Sequence, residues 1–209
     1  TCLPGIVPID EALAAPVLRY QTDIHGNFEL IGAPIGYNCE AANRVAPVVG
    51  TIGDYGLNST DSGADIFWRS TNTGAAASNA VPLADARTTA KLTLPSGATV
   101  HKAYLYWAGN TTNSLAIDTT ATIAFIADNG TVYSNDVTAD TSYTATTTYY
   151  FYESVKDVTS IISAHQSGAY RVSGISTRNF VDLTSEVTAA GWWLIVLYEL
   201  PSDPLRNLA

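Results

Sequence analysis

The chain has 209 residues, enough for one large β domain or two small ones, and a compact chain of this size buries roughly 70% of its unfolded surface, so it needs neither metal nor many disulfides to fold. Its net charge is −9, which excludes the clustered Lys and Arg that nucleic acid or an anionic membrane surface demands. Charged residues make up only 14%, so the polar surface falls to Thr, Ser and amides, a composition common in secreted β proteins, and no apolar stretch approaches the ~18 residues of a membrane span.

Residues 1–19 are spaced by Pro4, Pro8 and Pro16 and read as an extended arm, because proline removes donors and breaks helices. Its apolar residues Ile6, Val7, Ile9, Leu13, Val17 and Leu18 suit packing on the domain or on a neighbouring copy. The chain opens on Thr1 and contains no Met, which reads as a processed product or a fragment. Cys2 and Cys39 suggest one disulfide and an oxidising compartment; closing that loop contributes about 4 kcal/mol in the chain-entropy model.

Residues 20–209 are expected to form a single β domain. Tyr20 to Leu30 reads as a first strand broken by a turn at His25-Gly26-Asn27. Residues 50–65 and 70–88 read as loops around a short strand at Ile66-Phe67-Trp68. Ala90 to Leu94 alternates, turns at Pro95-Ser96-Gly97, and alternates again from Thr99 to Ala108. Ala103, Leu105 and Trp107 then share one face; Lys102, Tyr104 and Tyr106 share the other. Ala121–Ala127 and Thr131–Val137 flank Asp128-Asn129-Gly130, a strong hairpin signal. Thr144 to Tyr152 reads as one Thr/Tyr strand, residues 157–162 as a short helix or turn, and Ala169 to Ile175 as a strand.

The run 191–200 is the most apolar in the chain. It carries Trp192, Trp193, Ile195 and Leu197 and reads as a strand buried on both faces. Only nine residues follow it, so its neighbours come from earlier in the chain or from another molecule. Nine to twelve strands without a long helix predict an all-β sandwich or jelly roll with Greek-key connections.

Three sets of segments together carry a resemblance. They are Leu94-Pro95-Ser96-Gly97-Ala98-Thr99-Val100 with Ala103-Tyr104-Leu105-Tyr106-Trp107-Ala108-Gly109; Asp157-Val158-Thr159 with Gly168-Ala169-Tyr170; and Gly191-Trp192 through Leu197-Tyr198-Glu199 with Pro204-Leu205-Arg206-Asn207. The series resembles an extracellular β domain of large bacterial surface proteins, found ahead of tandem immunoglobulin-like repeats. Gly26-Asn27-Phe28-Glu29-Leu30-Ile31-Gly32 resembles that domain's opening strand. The resemblance implies an adhesive or structural role at the cell surface, with no catalytic residues to carry over. Such surface domains also suggest a Lys–Asn crosslink, for which Lys91, Lys102 or Lys156 would donate and Asn207 accept.

Candidate sites are sparse. Asp54, Asn58, Asp61 and Asp65 offer oxygen ligands that suit calcium, although their spacing matches no EF-hand. His25, His101 and His165 form no local metal pair, and no G-x-S-x-G elbow is present. Glu29, Glu40, Glu153, Glu186 and Glu199 supply carboxylates with nothing to pair two of them; Glu199 is expected beside Arg206 or Lys102. Tyr104, Tyr106, Tyr143, Tyr149, Tyr150 and Tyr152, with Trp107, suit core packing or stacking on sugar rings. Asn58-Ser59-Thr60, Asn110-Thr111-Thr112 and Asn129-Gly130-Thr131 fit the N-glycosylation pattern.

The expectation is therefore a non-catalytic extracellular structural or adhesive protein, a fibre subunit assembling by β-strand addition. Its partners would be copies of itself or neighbouring domains of a larger surface protein. The alternative is a monomeric adhesin head that binds glycans or a surface. No cofactor is expected apart from calcium at the acidic loop.

Overall fold

Alternating Thr, Val and aromatic residues build most of the described residues into strands. The computed structural model describes residues 18–38, 49–51, 64–66, 68–70, 86–111, 117–146, 150–177 and 190–209. These hold β1 (Thr22–Asn38), β2 (Val49–Thr51), β3 (Ala64–Ile66), β4 (Trp68–Ser70), β5 (Arg87–Leu92), β6 (Thr99–Thr111) and β7 (Thr120–Ile126). There follow β8 (Val132–Thr138), β9 (Thr141–Thr146), β10 (Tyr150–Asp157), helix α1 (Thr159–His165), β11 (Gly168–Ser173), β12 (Ala190–Glu199) and β13 (Leu205–Leu208).

The first sheet has the order β13-β1-β12-β6-β10-β9, with β4 beside the end of β1; the second has the order β2-β3-β5-β11-β7-β8. The pairings are nested. β1 pairs with β12, β5 with β11, β6 with β10 and β7 with β8, all antiparallel. Successive members of this series alternate between the two sheets. The eight strands of this series wind as a jelly roll with Greek-key connections, and β2, β3, β4, β9 and β13 extend its sheets. The all-β sandwich expected from the sequence is the fold observed.

The core lies between the sheets. Leu105, Trp107, Leu194 and Val196 of the first sheet are fully buried, as are Leu92, Ile123, Tyr170 and Val172 of the second. Buried ring donors are satisfied within this layer. The Trp107 indole donates to the Asp118 carbonyl at 3.0 Å, and the Trp192 indole donates to the Thr88 hydroxyl at 3.0 Å. Asp118 is a junction: its carbonyl also accepts from Ser154, and its carboxylate accepts from the Ser176 and Thr120 amides. Pairing these polar atoms avoids roughly 1–3 kcal/mol of desolvation cost apiece.

Four expectations need correction. β1 runs straight through His25-Gly26-Asn27 instead of turning. Gly26 lies so close to β12 that a Cβ would collide with the Tyr198 carbonyl, so this glycine permits close strand approach rather than a bend. The Thr/Tyr run is two strands, β9 and β10, paired from Tyr150↔Thr146 to Val155↔Thr141. β12 is fully buried on one face and only partly on the other, where Leu197 is covered. Trp192, Leu194, Val196 and Tyr198 point into the core, while Trp193 and Ile195 stay half-exposed on the outer face. The cause is position: β12 lies between β1 and β6 in an antiparallel sheet that has a single inner side. Its neighbours both come from earlier in the chain. Glu199 bonds neither Arg206 nor Lys102 but His101, at 2.7 Å, since it stands at the β6 end of the strand opposite Thr99.

Candidate functional site

The outer face of the first sheet is built in rows set by strand register. Leu30, Ile195 and Tyr104 form one row, and Gly32, Trp193 and Tyr106 the next. Pro34, Gly191, Ala108, Glu153 and Tyr143 form a third, and Phe28 pairs with Leu197 in a fourth. Because side chains alternate along each strand, these rows share one face. Gly32 lets β1 approach β12 closely, since a Cβ there would collide with the Trp192 carbonyl; Trp193 stacks on Tyr106 with centroids 5.4 Å apart and planes 4° from parallel.

Phe28 and Leu30 are 52% and 57% exposed, unusual for large apolar residues facing water on adjacent positions of one face. A groove of about 780 Å³ runs beside them, lined by Phe28, Ile195, Leu197, Tyr104 and Tyr106 among others. A second hollow of about 480 Å³ continues over Ala108, Gly191 and Ala145 to Glu153 and Tyr143. Burial pushes the Glu153 carboxyl above its usual range, and Arg19 opposes that rise.

The chain segment Leu18–Tyr20 lies across this face. Arg19 donates to the Tyr143 hydroxyl at 3.0 Å, and its guanidinium stands 5.7 Å from the Tyr106 ring centroid and 5.6 Å from that of Tyr143. The Tyr20 hydroxyl meets His101 Nε2 at 2.7 Å, and His101 Nδ1 meets Glu199 at 2.7 Å. Lys102 bonds Asp157 at 2.6 Å and lies 5.5 Å from the rings of both Tyr20 and Tyr104. The hydrogen bond to Asp157 raises the Lys102 pKa, with burial opposing it.

β1 has an open side. β13 pairs with it only over Thr22–His25, and β12 over Gly26–Gly36. Among the described residues, no second strand joins β1 between Asn27 and Ile35. An open stretch of this length, carrying Phe28 and Leu30, is a template for pairing with another extended segment.

The sequence-based candidates distribute unevenly. Cys2, Cys39, Ile6, Val7, Ile9, Leu13, Val17, Asp54, Asn58 and Asp61 lie outside the described residues, as do Glu40, Glu186 and Tyr149. Leu18 lines the groove. Asp65 sits in β3, its backbone opposite Gly50 of β2. Among the described residues, no three His, Cys, Asp or Glu side chains converge on a metal position. Trp193, Ile195 and Leu197 belong to the outer face, while Trp192 belongs to the core. Trp107 and Tyr152 are also core residues, whereas Tyr104, Tyr106 and Tyr143 flank the groove and hollow. The histidines stay apart: His25 bonds the Asp203 carbonyl, and His165 stacks on Phe125 at 4.4 Å. Lys102 and Lys156 are paired with Asp157 and Asp140, and the Asn207 amide donates to Asp23 at 2.7 Å.

Sequence reasoning missed Arg19, Tyr20, Phe28, Leu30 and His101 as members of one surface. The available signal was Phe28 and Leu30 two apart between Gly26 and Gly32, which places two apolar side chains on one strand face.

Fold and site define a jelly-roll sandwich whose first sheet offers an apolar outer face and, among the described residues, an edge strand open from Asn27 to Ile35. No family model matches the sequence, and neither a curated protein nor a solved structure matches the chain.

Proposed function

We propose that this chain is a non-catalytic structural or adhesive protein of the cell exterior, a subunit that assembles by β-strand addition between copies. The observation that carries this reading is the side of β1 from Asn27 to Ile35 that no strand among the described residues pairs, beside the exposed Phe28 and Leu30. The tail is a poorer donor than the arm, because Leu205–Leu208 already pairs with the protein's own β1. Residues 1–17 of the apolar arm supply the donated segment, while Leu18 and Arg19 stay seated on the protein's own sheet. A strand given head to tail extends a filament wherever the rotation between copies does not close a ring. The resemblance to extracellular domains of bacterial surface proteins supports the same placement and leaves neighbouring domains of a longer protein as further partners.

A second reading is favoured by the stacked Tyr106 and Trp193 beside Tyr143 and Arg19. Flat rings edged by polar groups suit a sugar, which would make the chain a monomeric glycan-binding head.

Negative-stain electron microscopy of native material separates the two. Strand addition predicts regular filaments, lost on deletion of residues 1–17 while near-ultraviolet circular dichroism stays unchanged. Dispersed monomers from the intact chain, or filaments from the deleted one, would overturn it. Glycan binding that survives the deletion would favour the head domain.

A further inference from the structure

The three N-x-Thr triplets differ in what the fold does with them. Asn110 lies in β6 with no solvent exposure, and its side-chain oxygen accepts from the buried Thr177 hydroxyl. A sugar on Asn110 would need the space that Thr177 fills. Asn58 lies outside the described residues. Asn129 stands at the exposed tip of the β7–β8 hairpin. That hairpin closes through Gly130 N to the Ala127 carbonyl at 2.8 Å and Ala127 N to the Thr131 carbonyl at 2.9 Å. Gly130 takes φ +80°, the left-handed position that a three-residue hairpin loop requires, and nothing lies within 4 Å of where its Cβ would be.

Within that turn the Thr131 amide donates to Asn129 Oδ1 at 2.9 Å. The bond holds the carboxamide in one orientation. The Asn129 Nδ2 is left without a partner among the described residues, and the Thr131 side chain follows on the same turn. Asparagine exposure, a Thr two residues on, and open space over the middle residue are what a glycosyl-transferring enzyme needs in an acceptor.

We propose that Asn129 is an N-glycosylation site and that Asn110 is not. The donor is an oligosaccharide activated as a polyprenyl phosphate ester. Nδ2 attacks the anomeric carbon, the new N–C bond forms, and the C–O bond to phosphate breaks with its electron pair leaving on phosphate. One of the two Nδ2 protons passes to the transferase base. The inference rests on the extracellular placement proposed above.

The modification has a use at this position. β8 ends the second sheet, and its Val132 and Tyr133 are exposed immediately after the turn. A hydrated glycan at Asn129 shields that edge from pairing and leaves the edge of β1 as the place where copies meet.

Glycopeptide mass mapping of native protein tests the assignment, with surface biotinylation of intact cells run on the same culture. Sugar mass is expected on the peptide carrying Asn129 and none on that carrying Asn110. Thr131→Ala should abolish occupancy, and Thr131→Ser should retain it. A biotinylated chain with bare Asn129, or with sugar on Asn110, overturns the site and leaves the extracellular reading intact. A chain that is neither biotinylated nor glycosylated overturns both.

Discussion

Two of the three phenols in the core make alkaline pH a direct probe of this sandwich. Tyr152 and Tyr170 are 3% and 0% exposed, and burial pushes both pKa values far above the ordinary phenol; the Asp118 charge adds to the rise at Tyr152. Each hydroxyl also donates to a carbonyl, Tyr152 to Ser176 and Tyr170 to Gln166. In the unfolded chain both titrate near pH 10. A folded pKa above the unfolded one means that the full contribution is present below pH 10 and is lost as pH rises above it. The unfolded state then releases protons that the folded state keeps, and the folded state falls behind. At pH 11 this costs about 1.4 kcal/mol for each phenol, or about 2.8 kcal/mol for the pair. Lys102, raised by its bond to Asp157, shifts stability in the same direction. Urea unfolding at pH 8 and pH 11 measures the difference, and phenolate absorbance in the folded protein counts the protected rings. Tyr152→Phe or Tyr170→Phe should lower stability at pH 8 yet halve the paired loss between the two pH values. Equal unfolding free energies at pH 8 and 11, or all twelve tyrosines ionising together before unfolding, would refute the reasoning.

Two further substitutions probe the same layer. Trp192→Phe keeps most of the apolar burial but strands the Thr88 hydroxyl, which is 3% exposed, and should cost about 1–3 kcal/mol by urea midpoint. Gly109→Ala places a Cβ 2.7 Å from the Ser176 carbonyl and 3.0 Å from the Tyr152 ring, so thermal unfolding should show a loss of about 1–3 kcal/mol.

Local chemistry was readable in the sequence, and long-range placement was not. The Asp128-Asn129-Gly130 hairpin follows from turn geometry confined to a few residues. The inward set Ala103, Leu105 and Trp107 follows from period-two alternation, and the structure has both. A glycine that breaks a strand and one that lets two strands approach look alike in sequence, so Gly26 read as a turn. The Thr and Tyr residues of β9 and β10 have uniform strand preference, and nothing in their composition marks a break between Thr146 and Tyr150. In the apolar run of β12, both faces carry large hydrophobic side chains. Only the neighbouring strands decide which face is inside, so Trp192 and Trp193 cannot be told apart by composition. The groove brings Arg19 and Tyr20 against Tyr143 and His101, residues more than eighty positions away, and no spacing rule reaches that far.

The nested pairing also sets a timetable. Gly26 finds its opposite number at Glu199, so the first sheet cannot close until nearly the whole chain is available. Among the described residues, β2 with β3, β7 with β8 and β9 with β10 join neighbours in sequence and can form early. Loops this long make closure slow, since each distant pair must be found before its burial offsets the lost chain entropy. A polypeptide of this design stays open along most of its length until its last strand is available. It then closes as one cooperative body, so its stability belongs to the whole chain and not to any one segment of it.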